Sequence, residues 1–185
     1  ERTRHLSVFA LAPIPLLMHL GSRLSNKMVV DFYQRHRDRK RSSPWAWRDS
    51  TKPVEFSAAT VQEGTDVTKV AVVFSLSGKV SQESMPKSID SSFTIYEFSP
   101  VGVLPTPSVL VGSASLERFR EKYREFLGAI EAAHGRLDVL HVFAAVPAPI
   151  AIVLGHDRLP KVHPDLLAYD NDKARGGFRP KLTIG

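Results

Sequence analysis

Two histidines and two aspartates crowd one short stretch, as His156-Asp157 and His163-Pro164-Asp165. Side chains of these types at this density can hold a divalent metal and support cleavage of a phosphoester. Such a centre needs further ligands from neighbouring helices, and His134 and His141 belong to other elements. The four residues read more simply as part of a loop. Nucleophilic catalysis fares no better. The GxSxG elbow and the HExxH helix are both absent, and Ser75 and Ser77 have no identifiable base. These residues favour a binding module over an enzyme.

The chemistry that remains is anion and base binding. Ser75-Leu76-Ser77-Gly78-Lys79 follows an apolar, β-branched run that begins at Lys69. Small hydroxyl residues and a glycine after a buried strand let amides and hydroxyls approach an anion closely. As a plain strand-end turn, the same stretch needs no ligand. It lacks the GxxxxGK[ST] and GxGxxG spacings, so ordinary nucleoside-triphosphate and dinucleotide-cofactor sites are not supported. Trp45 and Trp47 are two apart, so an extended chain points them the same way. Paired indoles stack on bases or fill core. The net charge of +6 suggests an anionic partner, although much of it lies in Arg35-His-Arg-Asp-Arg-Lys-Arg41, which a solvated turn explains equally well. With no cysteine, disulfides and thiolate chemistry are excluded, which fits a reducing, cytoplasmic compartment.

These residues must be positioned by elements, and one element is written twice. Residues 6–21, LSVFALAPIPLLMHLG, recur 134 positions later as residues 140–155, LHVFAAVPAPIAIVLG, with eight of 16 positions identical. Alone, the first run resembles a signal peptide, since Arg2 and Arg4 precede it. A signal peptide has no reason to recur inside the chain, and 16 residues with two prolines do not span a membrane. Each copy reads as a strand buried on both faces, halted by Pro13 or Pro147. A helix then starts with Pro15 or Pro149 in its first turn, where no amide bond is lost. Those helices should end near Leu24 and Asp157. With two extra residues in the second copy, Tyr33 aligns with Tyr169, each ending a short strand. Strand–helix–strand units belong to α/β sheets, whose ligands gather where strand C-termini meet helix N-termini. The Pro-x-Pro turns lie at that edge, or else only punctuate the chain.

Residues 34–68 read as irregular. Strands are expected at 69–78, 92–99, 107–113 and 139–146, with a terminal pair at 164–169 and 178–184. A helix is expected from Leu116 to His134, with Leu116, Phe119, Tyr123, Phe126, Leu127, Ile130 and Ala133 on one apolar face, Ser115 as N-cap and Gly135 as terminator.

Taken together, LSVFALAPIPLLMHLGSRLS, VVDFYQRHRD, PWAW, VVFSLSGKV leading to SFTIYEF, and LHVFAAVPAPIAIVLGHDRLPKVHPDLLAYD resemble the SAVED domain. That domain is the sensor of effectors in bacterial CBASS anti-phage defence. The resemblance covers nearly the whole chain. It implies an α/β fold of two fused, pseudo-symmetric, CARF-like (Rossmann-like) halves. Residues 1–68 would hold the C-terminal part of the first half and an irregular connection, and 69–185 the second half. Only five residues precede Leu6, whereas sheet and helix from Lys69 onward precede Leu140. The first half is therefore expected to be truncated at its N-terminus, and the natural polypeptide to be longer upstream.

The resemblance also implies a ligand. This would be a cyclic di- or trinucleotide, with a leaning toward the GMP-AMP kind. Binding would drive self-association and activate a fused effector, either an HNH or other DNA endonuclease or a TIR domain. This chain would sense without catalysing, with no cofactor, metal or membrane partner, and would meet DNA only through the effector. Carried over by position, the pocket would use Pro13, Pro15, Ser75, Leu76, Ser77, Gly78, Lys79, Ala145, Pro147 and Pro149. Tyr33, Trp45, Trp47 and Tyr169 would stack on bases, and Arg35, Arg37 and Lys79 would neutralise phosphate. Two other readings stay open: a sequence-nonspecific DNA- or RNA-binding module, from the charge, and a metal-dependent cyclic-nucleotide phosphohydrolase.

Overall fold

The computed structural model describes residues 5–24, 27–36, 43–48 and 52–185. In chain order its main elements are β1 (His5–Val8), α1 (Ile14–Arg23), β2 (Val29–Phe32), β3 (Phe56–Gln62), β4 (Val70–Ser75), β5 (Thr94–Pro100), α2 (Ser113–His134), β6 (Val139–Ala145), α3 (Ala148–His156), β7 (Asp165–Asp172) and β8 (Gly177–Ile184).

All six residues of β4 are buried, as a continuous apolar run demands of a strand covered on both faces. Around it forms a six-stranded sheet in the order β3-β5-β4-β6-β7-β8. The pairings among β5, β4, β6 and β7 are parallel, and β3 and β8 are antiparallel edges. Val70, Val72, Phe74, Phe98, Leu140 and Val142 lie in one core with the apolar sides of α2 and α3. On the opposite face Ala71, Val73, Phe93, Ile95, Phe143, Tyr169 and Phe178 form a smaller core. The alternation of β4 between these clusters is the two-residue period of a strand. Phe74, Phe98, Phe119 and Tyr123 meet at ring-centroid distances of 4.8–6.1 Å and pin α2 to the sheet.

β1 and β2 form a separate parallel pair. It has the register of β6 and β7: His5 faces Val29 and Val8 faces Phe32, while Val139 faces Asp165 and Val142 faces Ala168. Phe9 stacks on Tyr33 at 4.5 Å, and Phe143 on Tyr169 at 4.3 Å. The sequence repeat is thus also a repeat of element order and pairing. Leu17, Met18 and Gly21 of α1 are buried in the crossing with α3.

Several expectations change. β1 is not buried on both faces; its residues alternate between exposed and half-buried, because β2 is its only strand neighbour among the described residues. The stretch read as irregular contains β3, which joins the larger sheet although it precedes residue 69. Its Ser-Ala-Ala-Thr centre is small and polar, so it carries no strand signal; the unpaired edge of β5 recruits it. Residues 107–113 form no strand. A turn there brings the Val109 amide to the Thr106 carbonyl at 3.0 Å, and Val109 and Leu110 are buried. Gly112, not Ser115, caps α2. The Ser115 hydroxyl instead accepts the Val54 amide at 3.0 Å. Gly135 ends α2 with a φ of 69°, a conformation that suits glycine. No helix among the described residues is long and apolar enough to cross a membrane.

Candidate functional site

The two Pro-x-Pro turns come together. Pro13 caps α1, and its carbonyl accepts the Leu16 and Leu17 amides at 3.0 and 3.1 Å. Pro147 caps α3, and its carbonyl accepts the Ala151 amide at 3.1 Å. Pro15 and Pro149 are buried in the first turns, where proline has no amide to leave unpaired. Both helix starts line one cavity of about 720 Å³. Leu11, Ala12 and Ile14 form one side, and Val146, Pro147 and Ala148 another. Ser77 reaches it from the C-terminal end of β4, and Gln34, Arg35, His36 and Arg48 supply polar and cationic groups. This is the C-terminal edge of the parallel strands, where α/β sheets hold ligands. The positive ends of α1 and α3 add to the potential there.

Among the residues expected at a pocket, Arg35, Ser77 and Pro147 line this cavity, with Pro13 adjoining Ala12 and Ile14. Gly78 faces open space and Lys79 is exposed, but neither lines it. Arg37 lies outside the described residues. Other expected contributors are occupied structurally. The Ser75 hydroxyl accepts the Val80 amide at 3.2 Å, and Leu76 is fully buried. The amides of Leu76 and Ser77 both donate to the Ala145 carbonyl, at 3.0 and 2.7 Å, which stitches the β4 and β6 ends together. Tyr169 is buried against Phe143, its hydroxyl 2.9 Å from His141 Nδ1, so it belongs to the core and not to a base-stacking wall. Burial raises the Tyr169 phenol's pKa and lowers that of His141.

The paired tryptophans divide. Trp45 meets Phe9 edge-on at 5.5 Å, whereas Trp47 packs against the main core and lies edge-on to His36 at 6.1 Å. Gln34 was missed by the sequence reading. Its Nε2 donates to the Arg35 carbonyl at 3.0 Å, and its Oε1 is buried without a partner among the described residues. A lone glutamine carries no sequence signal. Arg48, directly after Trp47, was within reach of a search for cations beside aromatics.

A second cavity, of about 800 Å³, lies at the other ends of α1 and α3. Tyr33 and Trp47 line it, together with Arg120, Arg124, His156 and Asp157. Asp157 is almost fully buried and bridges α3 to α2: Arg120 donates from Nε and Nη2 at 2.9 Å each, Arg124 from Nη2 at 2.9 Å, and His156 Nδ1 lies 2.9 Å away. Burial opposes ionisation, but the His156 and Arg120 hydrogen bonds and the two guanidinium charges outweigh it and hold the carboxyl well below the usual range. Arg158 is likewise spent on Asp165 and the Pro164 carbonyl, and His163 Nδ1 accepts the Leu159 amide at 3.0 Å. The His/Asp stretch is therefore an ion-pair clamp. Among the described residues no group of three or more His, Cys, Asp or Glu side chains is placed to hold a metal ion.

The model of the SMODS-associated and fused to various effectors sensor domain (SAVED) matches residues 1–184. No curated protein matches. Three solved structures of an Acinetobacter baumannii Cap4 SAVED/CARF-domain containing receptor share the fold. The complex with the cyclic trinucleotide 2'3'3'-cAAA superposes with a TM-score of 0.69 at 16% identity, and that with 3'3'3'-cAAA with 0.63 at 16%. The receptor recorded without a named ligand gives 0.60 at 17%. Each match covers 98% of this chain but only 39%, 39% and 36% of the receptor's. The family match over almost every residue, on an α/β frame with its cavity at the strand ends, makes this chain a member of the SAVED sensor-domain family.

Proposed function

We propose that the cavity between the Pro-x-Pro turns binds a cyclic oligonucleotide of two or three nucleotides. The observation that carries this reading is the convergence of both helix starts, Ser77, Arg35 and Arg48 on one cavity. Helix-start dipoles and guanidinium groups suit phosphates, while the apolar side formed by Leu11, Ile14 and Val146 suits base faces. A charge-assisted hydrogen bond contributes about 1.5–3 kcal/mol, so two of them distinguish an anionic ring from a neutral one. The Acinetobacter baumannii receptor is seen with cyclic trinucleotides of the cAAA kind, which supports a cyclic trinucleotide as a candidate; the GMP-AMP kind is the other.

The chain works as two CARF-like halves, one ending in the β1–α1–β2 unit and the other built on the larger sheet. Ligand binding promotes self-association and switches on an effector in the same polypeptide, an HNH-type endonuclease being the first candidate. The chain itself performs no catalysis. The deciding experiment is calorimetric titration with cyclic GMP-AMP isomers, 2'3'3'- and 3'3'3'-cAAA and a DNA duplex, with product analysis in magnesium. Saturable, one-to-one binding of an intact cyclic oligonucleotide is expected. Salt-dependent duplex binding alone would favour the nucleic-acid module, and ligand cleavage the phosphohydrolase; either would overturn the reading.

A further inference from the structure

The loop between β5 and α2 is apolar where loops are ordinarily polar. Val101, Val103 and Leu104 are 52%, 49% and 80% exposed, and Leu104 is the most exposed large apolar side chain among the described residues. Single exposed apolar residues are common, but clustered ones mark ligand grooves or protein interfaces. β5 runs parallel to β4, with Phe98 opposite Phe74, so this loop leaves the sheet at the edge that holds the cavity of the Pro-x-Pro turns. Its second limb is already part of that cavity's wall, since Pro107, Ser108 and Val111 line it.

The two ends of the loop are held and its middle is not. The Val101 amide donates to the Glu55 carbonyl at 2.8 Å. Val109 and Leu110 are buried, and the Val111 carbonyl accepts the Arg48 amide at 3.2 Å. Between these anchors, residues 102–105 make no backbone hydrogen bond among the described residues. Gly102 has a φ of 71°, which glycine adopts freely, and open space beside it. Leu104 precedes Pro107 by three residues, a span of at most about 10 Å, so its side chain can reach the cavity. Leu11, from the first Pro-x-Pro turn, lines the same cavity and is itself 61% exposed.

We propose that residues 102–106 form a lid that folds over an occupied cavity and lays Leu104 on a base face of the bound ligand, beside Leu11. This rests on the cyclic-oligonucleotide reading above and adds to it a contact residue delivered by the loop. Gly102 is the hinge, and the fixed φ of Pro105 and Pro107 keeps the descending limb stiff. The lid buries apolar surface only when a ligand completes the surface beneath it, so entry stays open and escape slows. A second copy is the rival occupant of the exposed limb. The place of Pro107 and Ser108 in the cavity wall favours the ligand.

The test uses the protein as wild type and as Leu104→Ser, with 2'3'3'-cAAA, 3'3'3'-cAAA and cyclic GMP-AMP as probes. The tightest binder is followed by stopped-flow displacement and by hydrogen exchange. Leu104→Ser should raise the dissociation rate at least tenfold, equivalent to about 1.4 kcal/mol, and change the association rate less than threefold. In the wild type, that ligand should slow exchange of the Val103, Leu104 and Thr106 amides at least tenfold. The ligand-free variant should melt with the wild type, because Leu104 packs against little. If none of the three probes binds the wild type, the cyclic-oligonucleotide reading fails and the lid with it. If one binds, an unchanged dissociation rate in the folded variant, or exchange at 103–106 that the ligand does not slow, overturns the lid alone. Protection of 103–106 that grows with protein concentration in the absence of ligand would assign the loop to self-association and likewise overturn it. If the variant does not fold, the wild-type exchange decides.

Discussion

Gly21 and Gly155 make a reciprocal contact where α1 crosses α3. A Cβ on Gly21 would collide with the Ile152 carbonyl and lie 2.9 Å from the His156 nitrogen. A Cβ on Gly155 would collide with the Met18 carbonyl and lie 2.9 Å from the Ser22 nitrogen. Every partner on one side is the repeat counterpart of its partner on the other. Both contacts are backbone against backbone, so no side chain can swing aside to relieve them.

Gly21→Ala and Gly155→Ala should therefore each destabilise the fold by about 2–3 kcal/mol, as overpacking of a rigid contact does. Because the two sites share one crossing, the double variant should lose less than the sum. Urea titrations of the three variants test this; a loss under about 0.5 kcal/mol for either single change would mean that the crossing is looser than described.

If the proposed site is right, Ser77→Asp should weaken cyclic-oligonucleotide binding at least tenfold, because it brings a like charge to the wall proposed to face phosphate while leaving the Ser77 amide bonded to Ala145. Tenfold is about 1.4 kcal/mol, within reach of one charge contact. Calorimetry gives the affinity and thermal melting the stability. An unchanged affinity in a folded variant would remove Ser77 from the site.

Asp157→Ala should cost about 3 kcal/mol, since it strips Arg120 and Arg124 of their shared partner. The pH dependence follows from the lowered pKa. The clamp's contribution is complete above the ordinary carboxylate value near 4 and fades as pH falls through the range below it. Wild-type stability should thus drop steeply from pH 4 toward pH 2, and that of Asp157→Asn should drop less. Denaturation midpoints across pH 2–6 give both slopes, and parallel slopes would contradict the assignment.

Phe143→Ala should cost about 3–5 kcal/mol, as fully buried aromatic truncations do. Phe9→Ala in the 185-residue chain should cost about 1 kcal/mol, because half of the ring already meets solvent. Comparing the two by chemical denaturation measures directly how unequal the repeat copies are in burial.

The sequence made some of this legible and hid the rest for definite reasons. Apolar runs with prolines at fixed offsets revealed β6–α3–β7 and its twin, because local chemistry sets those boundaries. The Pro-x-Pro turns pointed to the cavity edge for the same reason. β3 was hidden because Ser57, Ala58, Ala59 and Thr60 neither alternate nor branch strongly, and only pairing with β5 makes them a strand. Ser75 and Tyr169 looked available for a ligand because sequence shows a group's chemistry and not its partner; Val80 and His141 had already taken theirs. Arg120 and Asp157 could not be paired in advance, since they meet only through the packing of α2 on α3.

Both copies of the unit furnish proline turns, yet only the first adds polar side chains to the cavity. Gln34, Arg35 and His36 leave β2 and enter the cavity. Their counterparts Asp170, Asn171 and Asp172 stay in β7, paired with Arg179, Phe178 and Gly177. If the proposed ligand seats here, a ring of chemically identical units would meet the Gln34–Arg35–His36 side once and different surroundings elsewhere. Its units would cease to be interchangeable on entry. On the proposed reading, shifting one phosphodiester from a 3' to a 2' oxygen would change which unit can face Arg35, and linkage isomers with the same bases would be different ligands to this frame.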